Sequence, residues 1–232
     1  MASLTNHLLA ILLALPAFAF SATAAATCNT TALNTTFGLY PITEYGTTIF
    51  DVANATGRGV CDIARANIMA DVEIVPNVGQ EIYIPAQVCE PDNATCLLPR
   101  INSTRTCIYG GPRLYYTVNG DTYEIIARRL NITAESLMVY AKDGETSTTI
   151  LEPGQFLKVP LCDPSQCIVQ PFSFEYGVYK DLAEKYGTTV GQIMMLSPTY
   201  NYSSIARLGG TPPPINLPIN CTALSSNITV LD

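Results

Sequence analysis

Three stretches of this chain repeat one pattern, and that repetition limits the fold more than any other feature. The stretches "ITEYGTTIFDVA" (42–53), "YTVNGDTYEIIA" (116–127) and "FSFEYGVYKDLA" (172–183) each end in an aliphatic residue followed by Ala. Ten residues beyond each Ala stands another aliphatic residue, Ile63, Leu137 or Ile193. Each copy then closes on a strand-like run ending in Pro: "IYIP" at 82–85, "LKVP" at 157–160 and "INLP" at 215–218. The Ala-to-Pro separations of 32, 33 and 35 leave room for the same elements in each copy. Within the middle copy, Tyr116-Thr117-Val118 alternates like a short strand, and Tyr123, Ile126, Ala127 and Leu130 fall at helical spacing. Asp121 followed by Glu124 has the form of a capping box at a helix start. Thr133 before "AESLMVYA" is placed to cap a second helix, as is Thr189 with Gln192 in the third copy. "EPGQ" at 152–155 is turn chemistry leading into the closing strand. The sequence therefore predicts an α+β chain of three tandem βααβ modules over 38–86, 113–161 and 171–219. In each, the two strands pair antiparallel and both helices cover one face.

Units this small bury little core and need staples. Eight cysteines follow the leader: Cys28, Cys61, Cys89, Cys96, Cys107, Cys162, Cys167 and Cys221. In an antiparallel βααβ unit the chain enters and leaves at one end, so Cys107–Cys162 and Cys167–Cys221 are the natural pairings. Closing a loop of about 55 residues stabilises by roughly 4 kcal/mol in the chain-entropy model. The pairing of Cys28, Cys61, Cys89 and Cys96 stays open, with Cys28–Cys89 favoured by analogy to the other two. Disulfides in turn imply an oxidising compartment. Residues 8–20 form an apolar run of secretory length, followed by A-x-A triplets, so residues 1–26 read as a signal peptide and the product as secreted and extracellular. Nine sequon asparagines agree with that route: Asn29, Asn34, Asn54, Asn93, Asn102, Asn131, Asn201, Asn220 and Asn227.

A net charge of −7 argues against nucleic acid and against an anionic membrane surface as partners. The single histidine, His7, lies in the leader, so histidine-based triads and histidine-containing metal sites are not expected. Cys162 and Cys167 read as disulfide partners rather than metal ligands, and no clustered pair of acidic residues suggests a glycosidase. The sequence predicts a binding protein, not an enzyme, with no cofactor and no metal.

The pattern "YTVNGDT…IA…L…G..L.VP" resembles the LysM carbohydrate-binding module. The cysteine-bearing links "GVCDI", "IPAQVCEPDNATCL", "CIYGGP" and "VPLCDPSQC" resemble those of secreted fungal effectors with three LysM domains. The resemblance spans about residues 28–221. It implies binding of chitin oligosaccharides, with chitin-induced self-association as a further expectation. Its biological meaning would be sequestration of chitin fragments from host immune receptors, or shielding of hyphae from chitinases. The alternatives are a structural cell-wall glycoprotein and the targeting portion of a wall hydrolase.

In such modules the ligand lies between two loops, one before the first helix and one after the second. Carried onto this chain, the resemblance points to Gly46, Thr47, Thr48 and Ile49 with Asn67, Ile68, Met69, Ala70 and Asp71 in the first copy. In the second copy it points to Gly120, Asp121, Thr122 and Tyr123 with Ala141, Lys142 and Asp143. In the third it points to Gly177, Val178 and Tyr179 with Pro198, Thr199 and Tyr200. Only the second copy keeps "GDT"; the asparagine usual after helix two stands as Asn67 but is replaced by Ala141 and Ser197. Asn201 heads a sequon inside the last loop, where a glycan would crowd the third site. Asp121 and Thr122 also have a plain role as helix caps, and Ile49, Tyr123 and Tyr179 an equally plain one in the core.

Overall fold

A computed structural model describes residue 33 and residues 38–100, 103–197 and 212–232. The leader, Cys28, the sequons at Asn29, Asn34, Asn102 and Asn201, and the loop residues Pro198, Thr199 and Tyr200 lie outside the described residues. The first unit runs β1 (Gly38–Pro41), α1 (Ile49–Thr56), α2 (Val60–Ala66) and β2 (Glu81–Ile84). After β3 (Ile108–Tyr109), a second unit runs β4 (Leu114–Tyr116), α3 (Tyr123–Leu130), α4 (Ala134–Leu137) with a 3-10 turn at 138–140, and β5 (Phe156–Lys158). After β6 (Leu161–Asp163), a third runs β7 (Ser165–Phe172), α5 (Tyr179–Tyr186), α6 (Val190–Leu196) and β8 (Ile215–Ala223), before the terminal β9 (Thr229–Leu231). Within each unit the strands pair antiparallel, Leu39 opposite Tyr83, Tyr115 opposite Leu157, and Gln170 opposite Leu217. The links form a sheet of their own, β6 lying between parallel β3 and antiparallel β9.

Local chemistry explains the helix ends. Thr48 and Asp51 form a reciprocal capping box at α1, each accepting the other's backbone N–H at 3.2 and 2.8 Å, and Gly57 ends the helix in the left-handed region. Thr133 and Thr189 cap α4 and α6 through Ser136 and Gln192. Helix α3 starts one residue later than the sequence suggested. Thr122, not Asp121, is its cap, accepting from the Ile125 N–H at 3.1 Å. Asp121 points inward instead, because a fully buried arginine waits there.

Disulfides join Cys61 to Cys96, Cys107 to Cys162 and Cys167 to Cys221. Cys89 is also disulfide-bonded; the expected pairing with Cys28 involves a residue outside those described. Small units acquire a sufficient core by sharing one. Tyr115, Ile126, Leu130 and Leu137 of the second unit pack in a single cluster with Tyr179, Ile193, Ile215 and Leu217 of the third. Ile68 of the first unit reaches into that cluster, and Val178 of the third lies in the first unit's core of Ile42, Ile49, Val52 and Ile63. No helix among the described residues is long and apolar enough to cross a membrane.

Candidate functional site

The second unit holds an open cleft of about 540 Å³ between the start of α3, the long connection from α4 to β5, and β5 itself. Its walls include Thr117, Tyr123, Tyr140, Glu145, Ile150 and Phe156. The Tyr123 hydroxyl donates to Glu145 Oε2 at 2.7 Å, and the Lys142 N–H donates to the same oxygen at 3.0 Å. Those two bonds hold the Glu145 carboxyl below its ordinary range, while burial and then the Glu145 contact push the Tyr123 phenol up to about 12. The phenol is thus a fixed donor and the carboxylate a fixed acceptor at neutral pH. Around them stand apolar surfaces: Phe156 is 67% exposed, Tyr140 62% and Ile150 73%. Tyr116 meets Phe156 edge-on at 5.4 Å between centroids, and the Lys158 ammonium sits 5.1 Å over the Tyr140 ring.

The "GDT" segment shapes this cleft from behind. Gly120 has φ +86°, which turns the chain sharply into the helix. The buried Asp121 accepts the Val118 N–H at 2.8 Å and forms an ion pair with Arg129. Its carbonyl accepts the Leu151 N–H at 2.8 Å, so the far end of the second loop is fastened to the first. Of the residues carried over for this unit, Tyr123 and Lys142 line the cleft. Ala141 packs against the core and Asp143 is exposed. Tyr140, Glu145, Ile150 and Phe156 line it without having been singled out.

The corresponding loops elsewhere are partly engaged within their own unit and partly between units. In the first unit Gly46 is exposed, Thr47 bonds to the Glu44 carbonyl, Thr48 caps α1, and Ile49 is fully buried. Asn67 is buried, donating to the Ile63 and Tyr83 carbonyls at 2.7 Å and accepting the Tyr83 N–H at 2.8 Å, so it ties α2 to β2. Ile68 and Ala70 are buried in the shared core, and Met69 is half-buried. Asp71 is buried and accepts from Arg129 Nε at 2.6 Å. Arg129 also donates to the Tyr115 hydroxyl at 2.7 Å, so one guanidinium joins the first and second units. In the third unit Gly177, Val178 and Tyr179 are buried, and the Gly177 N–H donates to the Arg65 carbonyl at 3.1 Å. Arg65 grips Asp181 through two nitrogens, at 3.0 and 2.9 Å, and Asp92 at 2.7 Å. No group of acidic, cysteine or histidine side chains among the described residues is arranged to hold a metal ion.

The second unit, with its paired strands, two helices on one face and a cleft between the loops, is a LysM domain: that family matches residues 115–160. Along the wider chain, the secreted LysM effector LysM13 of Penicillium expansum is 49% identical over 206 residues, 88% of this chain and 87% of that protein. The secreted LysM effector ECP6 of Passalora fulva is 34% identical over 162 residues, covering 69% and 70%. ELP2 of Colletotrichum higginsianum, also a secreted LysM effector, is 37% identical over 117 residues, covering 50% and 64%. The chain belongs to the family of secreted LysM effectors.

Proposed function

We propose that this protein is a secreted, non-catalytic binder of chitin oligosaccharides, and that the cleft framed by Tyr123, Tyr140, Ile150 and Phe156 takes the sugar. The observation that carries the reading is that cleft, because it lies inside the LysM match and joins apolar surfaces to a carboxylate acceptor, Glu145, held in place by Tyr123. An N-acetylglucosamine unit presents a carbonyl, an N–H and a methyl. Ile150 and Phe156 suit the methyl and the sugar face, and the Glu145 carboxylate suits the amide N–H. Gly120, Asp121 and Thr122 then act by holding the wall, and Tyr123 and Lys142 by contact.

The βααβ order repeated over 38–86, 113–161 and 171–219 supports three LysM modules of this kind. Gly46, Thr47 and Thr48 remain contact candidates in the first. Buried Ile49, Asn67, Ile68, Ala70, Asp71, Gly177, Val178 and Tyr179 are assigned to shaping and packing. The apolar leader and the relatives' designation as secreted effectors support an extracellular product that sequesters chitin fragments from immune receptors or shields hyphae. Two protein molecules on one chitin chain would give the self-association.

Calorimetry with chitin hexamer and chitosan hexamer tests the reading. Binding to chitin alone is expected, weakened at least several-fold by Phe156→Ala and Tyr140→Ala, since exposed aromatics at the rim carry contact area. No heat with either oligomer would favour a structural wall glycoprotein. Release of reducing sugar would favour a hydrolase.

A further inference from the structure

A larger cleft, of about 780 Å³, opens beside the packed helices of the second and third units. It is not the sugar cleft described above: its walls come from α3 and α4, from α5 and the start of α6, and from Leu98, Pro99, Arg100 and Ser103 of the link before the second unit. Thr133, Glu135, Glu184, Thr188 and Thr189 line it, offering donors and acceptors but no aromatic platform. Arg129, also on its wall, is 1% exposed, and its Nη2 has no hydrogen-bond partner among the described residues. Asn131 lines the same cleft and heads the sequon Asn131-Ile132-Thr133.

We propose that an N-linked glycan on Asn131 occupies this cleft and braces the second unit against the third. This rests on the secretory reading, since only that route attaches the sugar. Five sequon asparagines are described, Asn54, Asn93, Asn131, Asn220 and Asn227, and all are exposed. Asn131 is the one on the cleft wall. Its attachment point is held on both sides. The Asn131 carbonyl accepts from Ser103 Oγ at 2.8 Å, and the Thr133 N–H donates to the Arg105 carbonyl at 2.7 Å. Asn131 closes α3 in the left-handed region (φ +53°), its N–H still donating to the Ala127 and Arg128 carbonyls. A free sugar would bind such an open cleft, with no aromatic on its walls, weakly. A tethered one meets it at an effective concentration of about millimolar, enough to fill it through hydroxyl contacts alone. The volume lies within the roughly 300–1,000 Å³ of small-ligand clefts.

The full chain, secreted from a yeast host, tests the proposal. Glycopeptide mass spectrometry reads occupancy at each sequon, and hydrogen exchange reads protection at 130–135 and 183–190. Occupied Asn131 is expected, with exchange in both segments several-fold faster after native enzymatic glycan removal. The same loss is expected in Asn131→Gly, which keeps the left-handed cap but has no attachment point. Chitin binding is expected to stay unchanged in both. Glycans elsewhere with Asn131 bare overturn the proposal, as does an occupied Asn131 whose removal leaves exchange the same. Failure of the chain's own leader to direct secretion would instead overturn the secretory reading beneath it.

Discussion

Replacing Arg129 with Met should be the most damaging single change away from the disulfides. The arginine side chain is 0% exposed, and its two carboxylate partners, Asp71 and Asp121, are 2% and 0% exposed. Met fills similar volume but leaves both carboxylates in the interior. Each keeps one backbone bond, Asp71 from the Glu73 N–H at 3.1 Å and Asp121 from the Val118 N–H at 2.8 Å. Those bonds moderate the desolvation penalty without cancelling it. Breaking a buried pair in this way costs about 3–5 kcal/mol. At roughly 2–4 °C per kcal/mol for a chain of this size, the melting temperature falls by about 6–20 °C. Circular dichroism during thermal and urea unfolding, with disulfides intact, measures it. The pH dependence supplies a second check. Burial pushes the Asp121 carboxyl up, and Arg129 pulls against it, leaving it raised in the native protein. A raised carboxyl contributes stability that is present below the unfolded pKa, about 3.9, and lost as pH rises through the folded value. Without Arg129 the folded value climbs further. The deficit of the variant should therefore be smaller near about pH 4 than near about pH 7. A loss under about 1 kcal/mol, as for an exposed pair, or one that ignores pH, would refute the reasoning.

Three other perturbations follow from the same contacts. Gly120→Ala places a Cβ at φ +86°, 2.9 Å from Val75 Cγ2 of the first unit, and should destabilise by about 1–3 kcal/mol in urea unfolding. Replacing Cys167 and Cys221 with Ala opens a loop of 54 residues and should cost about 4 kcal/mol, with faster tryptic cleavage of the third unit. Burial pushes the Asp181 carboxyl up, but the Arg65 guanidinium and the Val178 N–H more than offset it, so it sits below its ordinary value. Its contribution is present above the unfolded pKa of about 3.9 and lost as pH falls through the folded value. Acid unfolding of the native protein should therefore be steeper below about pH 4 than that of Arg65→Met, and parallel curves would remove that role.

What the sequence disclosed and what it hid divide along one physical line. Repeats, caps and the pairings of Cys107 and Cys167 depend on residues close in sequence or at the two ends of one unit, and local periodicity encodes them. Contacts between units leave no such trace. Asp71 and Arg129 are 58 residues apart, and Arg65 and Asp181 116, with no shared spacing to announce them. Asp71 and Val178 therefore looked free when considered in their own units, although packing buries both. Part of the cleft had been legible. In β5, Phe156 and Lys158 alternate with Leu157, so a strand covered by helices on one face must turn Phe156 outward with the lysine. An aromatic on the wet face of a three-residue strand serves no core, and with Tyr116 edge-on beside it Phe156 adds an exposed aromatic surface. The same logic applies to Tyr140, which stands in the 3-10 turn where the helical stripe has already ended. Exposure of large apolar side chains at the ends of elements, rather than the most recognisable motif, was thus the signal for the cleft. "GDT" marks the fold because Asp121 is buried against Arg129 and the Val118 N–H, and it does not line the cleft.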